Sequence, residues 1–105
     1  MKGTEKQIAW AQDIQATVIK TIETMVAMTA NDPRANTDAA RDRIAKVTRA
    51  LEAVKACDNA HDLIEVYGDV TSRRSERENL GMVAAIISNR IHQVYDMDQA
   101  ALIGE

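Results

Sequence analysis

Three side chains that could bind a divalent metal lie close together in the sequence. Asp58, His61 and Glu65 are spaced i, i+3 and i+7, so a helix would place all three on one side. Imidazole and carboxylate groups are ligands for zinc and related ions. The chain lacks the second histidine of an H-E-x-x-H signature, and His92 is 31 residues away from His61. We therefore expect a solvated helix face without a metal, and we keep a metal-dependent enzyme as the second alternative.

The remaining charged candidates form two neighbouring blocks of opposite sign. Residues 58–70 hold four acids and no Lys or Arg, whereas residues 71–95 have a net charge of +2. Three arginines at the start of the basic block could bind phosphate, form ion pairs with the acidic block or bind an acidic surface of a partner. From the two blocks we select as partner-binding candidates Arg73, Arg74, Arg77, Asp58, Asp62, Glu65 and Asp69.

Trp10 is the last candidate, and it is the only tryptophan in a chain with two tyrosines and no phenylalanine. It precedes Ile14 by one helical turn, so we expect it to pack against Ile14 in the core. The alternative is an interface position, because tryptophan is enriched where protein partners bury surface.

Other chemistry is not indicated. The sequence has no nucleophile elbow, P-loop, dinucleotide fingerprint or CxxC pair. We therefore predict no enzymatic activity and no cofactor.

Cys57 is the only cysteine, which excludes an intramolecular disulfide, and we expect it to be buried. The longest apolar run, 82–87, is too short to span a bilayer, and no signal-like segment is present. These features predict a cytoplasmic protein without membrane contact.

The net charge and the distribution of basic residues also argue against nucleic-acid binding. The net charge is −3 over 105 residues. The basic residues 41, 43, 46 and 49 are interleaved with acids, and no aromatic platform could stack bases. A nucleic-acid-binding regulator is kept as the first alternative function.

The elements that carry these residues are predicted to be helices. One Pro, four Gly and few aromatics exclude most β folds. Apolar residues recur every three or four positions in four segments, which predicts helices at about 4–30, 37–57, 59–67 and 73–95, followed by a tail at 96–105. The prediction is an all-α bundle of about four helices, two or three long and one short, in a single domain over 1–105.

Local signals set the predicted boundaries. Thr4 with Gln7, and Ser75 with Glu78, have the spacing of capping boxes, and Gly68 is placed for a left-handed helix end. Asn36 or Thr37 would cap the second helix, and Asp58 or Asn59 the third. The first helix has an apolar stripe too wide for so small a chain to cover, which suggests a homodimer.

Residues 2–14, KGTEKQIAWAQDI, resemble the opening G-[ST]-E-K-Q-I-x-W-A of small proteins from Firmicutes phages, plasmids and other mobile elements. The resemblance covers about 13 of 105 residues and brings no catalytic residues with it. It implies a small helical protein that binds a host protein in the bacterial cytoplasm. It further implies, as one possibility, a stoichiometric inhibitor of a defence effector of the CRISPR type.

Overall fold

The computed structural model describes residues 1–33, 36–89 and 94. These ranges contain four helices: α1 (Glu5–Ala30), α2 (Asp38–Ala56), α3 (Ala60–Tyr67) and α4 (Glu76–Asn89). No β-strand occurs in the described ranges, where Lys2 and Asn59 make one isolated bridge. The prediction of a small all-α bundle is therefore confirmed. The predicted end of the fourth helix and the tail at 96–105 lie outside the described residues, except for Val94, which is helical and buried.

Local capping explains where the helices begin. The Thr4 hydroxyl accepts the Gln7 amide at 3.2 Å, and the Gln7 side chain accepts the Thr4 amide at 3.0 Å, which completes the predicted capping box. The caps of α2 and α3 are Thr37 and Asn59, whose side-chain oxygens accept backbone N–H groups of the first turn. Each cap satisfies donors that the helix itself leaves without a partner.

Two boundary details between α3 and α4 differ from the prediction. α4 begins at Glu76, directly after Ser75 of the predicted capping box, rather than at 73. Gly68 is not left-handed: its φ is −56° and its ψ is −25°. The chain instead turns tightly there, with the Val70 amide bonded to the Tyr67 carbonyl at 2.9 Å, and a Cβ at position 68 would collide with the Ile64 carbonyl oxygen.

α1 is the central element, since it packs against all three other helices. Its buried residues recur every three or four positions and supply the middle of the core. Cys57 is buried, as expected. The fully buried residues of the described part include Ala11, Ile14, Val18 and Ile22 from α1, Ala50 and Val54 from α2, Leu63 and Tyr67 from α3, and Val83 from α4.

The first residues of the chain tie α1 to the start of α3. The Lys2 amide donates to the Asp58 carbonyl at 2.8 Å, and the Lys2 carbonyl accepts the Ala60 amide at 2.9 Å. Gly3 follows with a φ of +141°, and a Cβ there would lie 2.9 Å from the Ala60 Cβ. Only glycine combines this dihedral angle with so close an approach. The Gly-Thr pair of the opening segment is therefore a structural junction.

A second tie joins α1 to the end of α2. The Gln15 Nε2 donates to the carbonyl oxygens of Val54 at 2.9 Å and Cys57 at 3.1 Å. Both are acceptors at the C-terminus of α2, where the Val54 carbonyl also accepts the Cys57 amide at 3.2 Å. In the described part of the chain, no helix combines the length and apolar character needed to cross a membrane.

Candidate partner-binding site

Trp10 lies on the surface of α1, with 48% of its area exposed. The expectation that it packs in the core is therefore wrong, whereas Ile14, one turn later, is fully buried. Ile14 and Ala11 lie on the side of α1 that the other helices cover. Trp10 lies beside that stripe, and it lines a cavity together with residues 71–73 of the loop between α3 and α4. Helical spacing alone does not reveal this difference, because it depends on which element covers the face.

A surface cavity of about 510 Å³ separates Trp10 from that loop. Its walls are α1 on one side and residues 71–73 on the other. The loop is fixed to α1 by a hydrogen bond in which the Ser72 amide donates to the Asp13 carboxylate at 3.2 Å. The lining residues are Ala9, Trp10, Asp13, Thr71, Ser72 and Arg73. The structure thus places two of the predicted candidates, Trp10 and Arg73, at one site.

The three candidate arginines have different surroundings. Arg74 makes contacts within the chain: its Nε donates to the Asp69 carbonyl at 2.8 Å, and its Nη1 lies 3.6 Å from a Glu78 carboxylate oxygen. Arg73 and Arg77 are exposed, and neither makes a hydrogen bond or ion pair to the residues that the structure describes. Arg74 is therefore part of the scaffold, and Arg73 and Arg77 are available to a partner.

Glu78 stabilises the first turn of α4, which follows Arg73 and Arg74 in the chain. The Ser75 hydroxyl donates to its carboxylate at 3.0 Å and accepts its backbone N–H at 3.1 Å, which confirms the second predicted capping box. The hydrogen bonds from the Ser75 side chain and backbone, helped by the charge of Arg74, lower the pKa of Glu78 below its ordinary value of 4.5. The carboxylate stays charged where the positive end of the helix favours it.

A smaller cavity of about 310 Å³ adjoins the first and shares Asp13 and Ser72 with it. Asn79 lines it and is 4% exposed, with its Nδ2 donating to the Thr71 carbonyl at 3.0 Å. This bond fixes the loop from the α4 side. Sequence reasoning missed both Asp13 and Asn79. Asn79 is four residues before buried Val83, so a polar residue in the apolar stripe was the available signal.

The possible metal ligands that the structure brings together are not the three that the sequence predicts. His61, Asp62 and Glu65 offer ligand atoms within 4.8 Å of one another, and the His61 Nδ1 lies 3.7 Å from Asp62 and 3.6 Å from Glu65. Asp58 is not part of this group, because it precedes the first residue of α3 and lies off the helical face. Its carboxylate instead lies 3.1 Å from the Met1 amino group. Asp62 therefore replaces Asp58 in the possible ligand set.

The basic residues of α2 are partly neutralised. Arg41 lies 2.7 Å from an Asp38 oxygen, and Lys46 lies 3.1 Å from an Asp42 oxygen. These exposed pairs reduce the positive charge that α2 could present to a phosphate backbone.

Neither a family model, nor a curated protein, nor a solved structure matches this chain.

Proposed function

We propose that this protein is a non-enzymatic protein–protein interaction module that binds its partner through the surface around Trp10. The exposure of Trp10 beside the cavity carries this proposal. Tryptophan is a frequent hot-spot residue because it buries a large area and keeps an N–H donor. Among described residues, the other large apolar side chain with comparable exposure is Met28, near the far end of α1.

The opening segment supports this interpretation. Gly3 forms the junction with α3, Thr4 and Gln7 cap α1, and Ala11 is buried in the core. These residues have evident structural roles. Trp10 is the exception, since nearly half of it remains in contact with solvent. A large apolar side chain that the fold does not bury is available for a partner.

The resemblance of residues 2–14 to proteins of phages and mobile elements supports a more specific version. In that version the protein acts in the bacterial cytoplasm, and its partner is a host protein. Inhibition of a defence effector by stoichiometric binding is the activity that fits a small helical protein without catalytic motifs. A second copy of the chain is the competing partner, because a homodimer would also cover Trp10.

The nucleic-acid alternative has less support. The ion pairs on α2 use part of its positive charge, and the cavity between α1 and residues 71–73 holds one aromatic side chain, whereas stacking of successive bases needs several. The alternative of a metal-dependent enzyme rests on an exposed group of side chains, since the His61 side chain is 72% exposed.

Affinity capture from nuclease-treated bacterial lysate tests the proposal, with wild type compared with Trp10→Ala and Met28→Ala. Both variants remove an exposed apolar side chain from α1, so Met28→Ala controls for nonspecific hydrophobic adsorption and for altered helix stability. We expect a stoichiometric protein partner that Met28→Ala retains and Trp10→Ala loses. Light scattering of the purified chain distinguishes a host protein from a second copy. Equal recovery by both variants would contradict the proposal.

A further inference from the structure

We infer that the cavity between Trp10 and Arg73 binds an acidic segment of a partner protein, with an apolar side chain on the indole and a carboxylate on the Arg73 guanidinium. This inference rests on the proposed function and specifies the chemistry of the partner. It concerns the cavity lined by α1 and residues 71–73, which we call the Trp10 cavity.

The Trp10 cavity holds two donor groups that have no hydrogen-bond partner among the described residues. The Asp13 carboxylate already accepts the Ser72 amide at 3.2 Å. The Arg73 guanidinium and the Trp10 indole N–H make no hydrogen bond to the described residues. A guanidinium group presents five N–H donors and no acceptor, and its planar fork matches a carboxylate. A partner that completes this cavity therefore supplies acceptors, and a carboxylate fits best.

The surrounding charge favours the same partner. Arg77 adds a second exposed guanidinium without a partner among the described residues, and Lys20 lines the adjoining cavity. Arg74 is held by Asp69 and Glu78, so it contributes to the scaffold. Asp13, which lines both cavities, and Glu76, which lines the adjoining one, are the opposing charges. The basic side chains Arg73, Arg77 and Lys20 thus outnumber these two acids, and the positive charge in the Trp10 cavity itself is that of Arg73.

The shape favours a short segment of protein over a nucleic acid. Ala9, Thr71 and Ser72 are small, so a peptide backbone can approach between Trp10 and Arg73. The acidic residues 58–69 immediately precede this loop in the chain. A nucleic acid carries regular negative charge over a long path and needs several cationic contacts along it, whereas a short acidic segment needs only the local positive site at Arg73.

Because Trp10 is the only tryptophan, its fluorescence reports on this cavity without a label. The first experiment compares quenching by iodide and by caesium in the full chain. We expect iodide to quench more strongly, since an anion accumulates near Arg73 and Arg77. Arg73→Glu with Arg77→Glu should remove or reverse that preference. Lys55→Glu, a charge change on exposed α2, serves as the control and should preserve it. Equal quenching by both ions in wild type would overturn the inference.

The second experiment selects binders from a random peptide library on the immobilised full chain and titrates the selected synthetic peptides by Trp10 fluorescence. We expect enrichment of Asp or Glu next to a large apolar residue. Binding should weaken about tenfold or more in Arg73→Glu, as for loss of a charge-assisted pair, and fall as salt rises from about 50 to about 300 mM. Lys55→Glu should bind as wild type does.

The outcomes separate the inference from the proposed function. Selected peptides could require Trp10 for binding, carry no acidic residues and bind Arg73→Glu as tightly as wild type. That result would overturn the inference but would still support the proposed interaction module. Failure to select any Trp10-dependent peptide would count against both. Tighter binding of duplex DNA than of the selected peptides would overturn the acidic protein segment as the occupant. Self-association abolished by Arg73→Glu would assign the cavity to a second copy and overturn it equally.

Discussion

Trp10 is expected to contribute less to the stability of the fold than a fully buried tryptophan would. With 48% of its area exposed, its replacement should cost about 2 kcal/mol, against about 3–5 kcal/mol for a buried tryptophan. We predict that Trp10→Ala remains folded, with a thermal midpoint close to that of Met28→Ala. Circular dichroism melts of the two variants provide the measurement. Unfolding of Trp10→Ala at room temperature would show that the indole is a core residue after all.

Two glycines should respond in opposite directions to the same substitution. Gly3→Ala places a Cβ at a φ of +141° and 2.9 Å from the Ala60 Cβ, so we predict a loss of about 1–3 kcal/mol. Gly81 is inside α4, and a Cβ there meets no atom within 4 Å. Gly81→Ala should therefore stabilise by about 0.5–1 kcal/mol through helix propensity. Urea unfolding of both variants checks the pair, and a destabilising Gly81→Ala would contradict the described packing of α4.

At the scale of elements, one glutamine side chain joins α1 to α2. Gln15 bonds to the carbonyl groups of Val54 and Cys57, and its removal leaves two partly buried acceptors without that donor. We predict that Gln15→Ala costs about 1–3 kcal/mol. Gln12→Ala, which truncates an exposed glutamine on the same helix, should lie within about 0.5 kcal/mol of wild type. Chemical denaturation gives both values, and equal values would mean that the Gln15 bonds add nothing.

The start of α4 should weaken in acid because Glu78 must be charged to hold its cap. Its pKa is lowered in the folded state by the Ser75 hydrogen bonds, so its contribution is present above the ordinary value of 4.5 and disappears as pH falls through the lower folded value. We predict that the melting temperature of wild type falls more steeply below about pH 4.5 than that of Glu78→Gln. Glu76→Gln, in the same turn, is the control and should follow wild type. Superimposable profiles for wild type and Glu78→Gln would refute the prediction.

Helix positions were predictable from the sequence where the signal is local. The capping boxes at Thr4 and Ser75 bond to residues three positions away, so their spacing alone specifies them. The loop before α4 was not predictable in the same way. Ser72 is held by Asp13, 59 residues earlier in the chain, and such a contact has no signature in local periodicity. The Ser75 box placed the start of α4 at 76, whereas the position of the loop against α1 could not be predicted from local spacing.

At the scale of the whole molecule, the candidate site was predictable as residue types but not as an assembly. Trp10 and Arg73 were both selected from the sequence, yet they are 63 positions apart and only the fold brings them to one cavity. Conversely, Asp58 was grouped with His61 because both fit a helical spacing. The structure begins α3 at Ala60, which moves Asp58 off that face. Tertiary packing decided each of these cases.

Among the described helices, α1 has the most extensive packing, because it contacts α2, α3 and α4. A change in its buried side is therefore expected to affect the whole molecule. Ile14 is fully buried on α1, so we predict that Ile14→Ala costs about 2–5 kcal/mol, a large part of a typical total of about 5–15. Because the loss affects the shared core, amide exchange should accelerate in all four helices together. Ile19→Ala truncates a half-buried isoleucine on the same helix and should accelerate exchange less. Faster exchange confined to α1 and α3, with α2 and α4 unchanged, would show that the helices do not unfold as one cooperative unit.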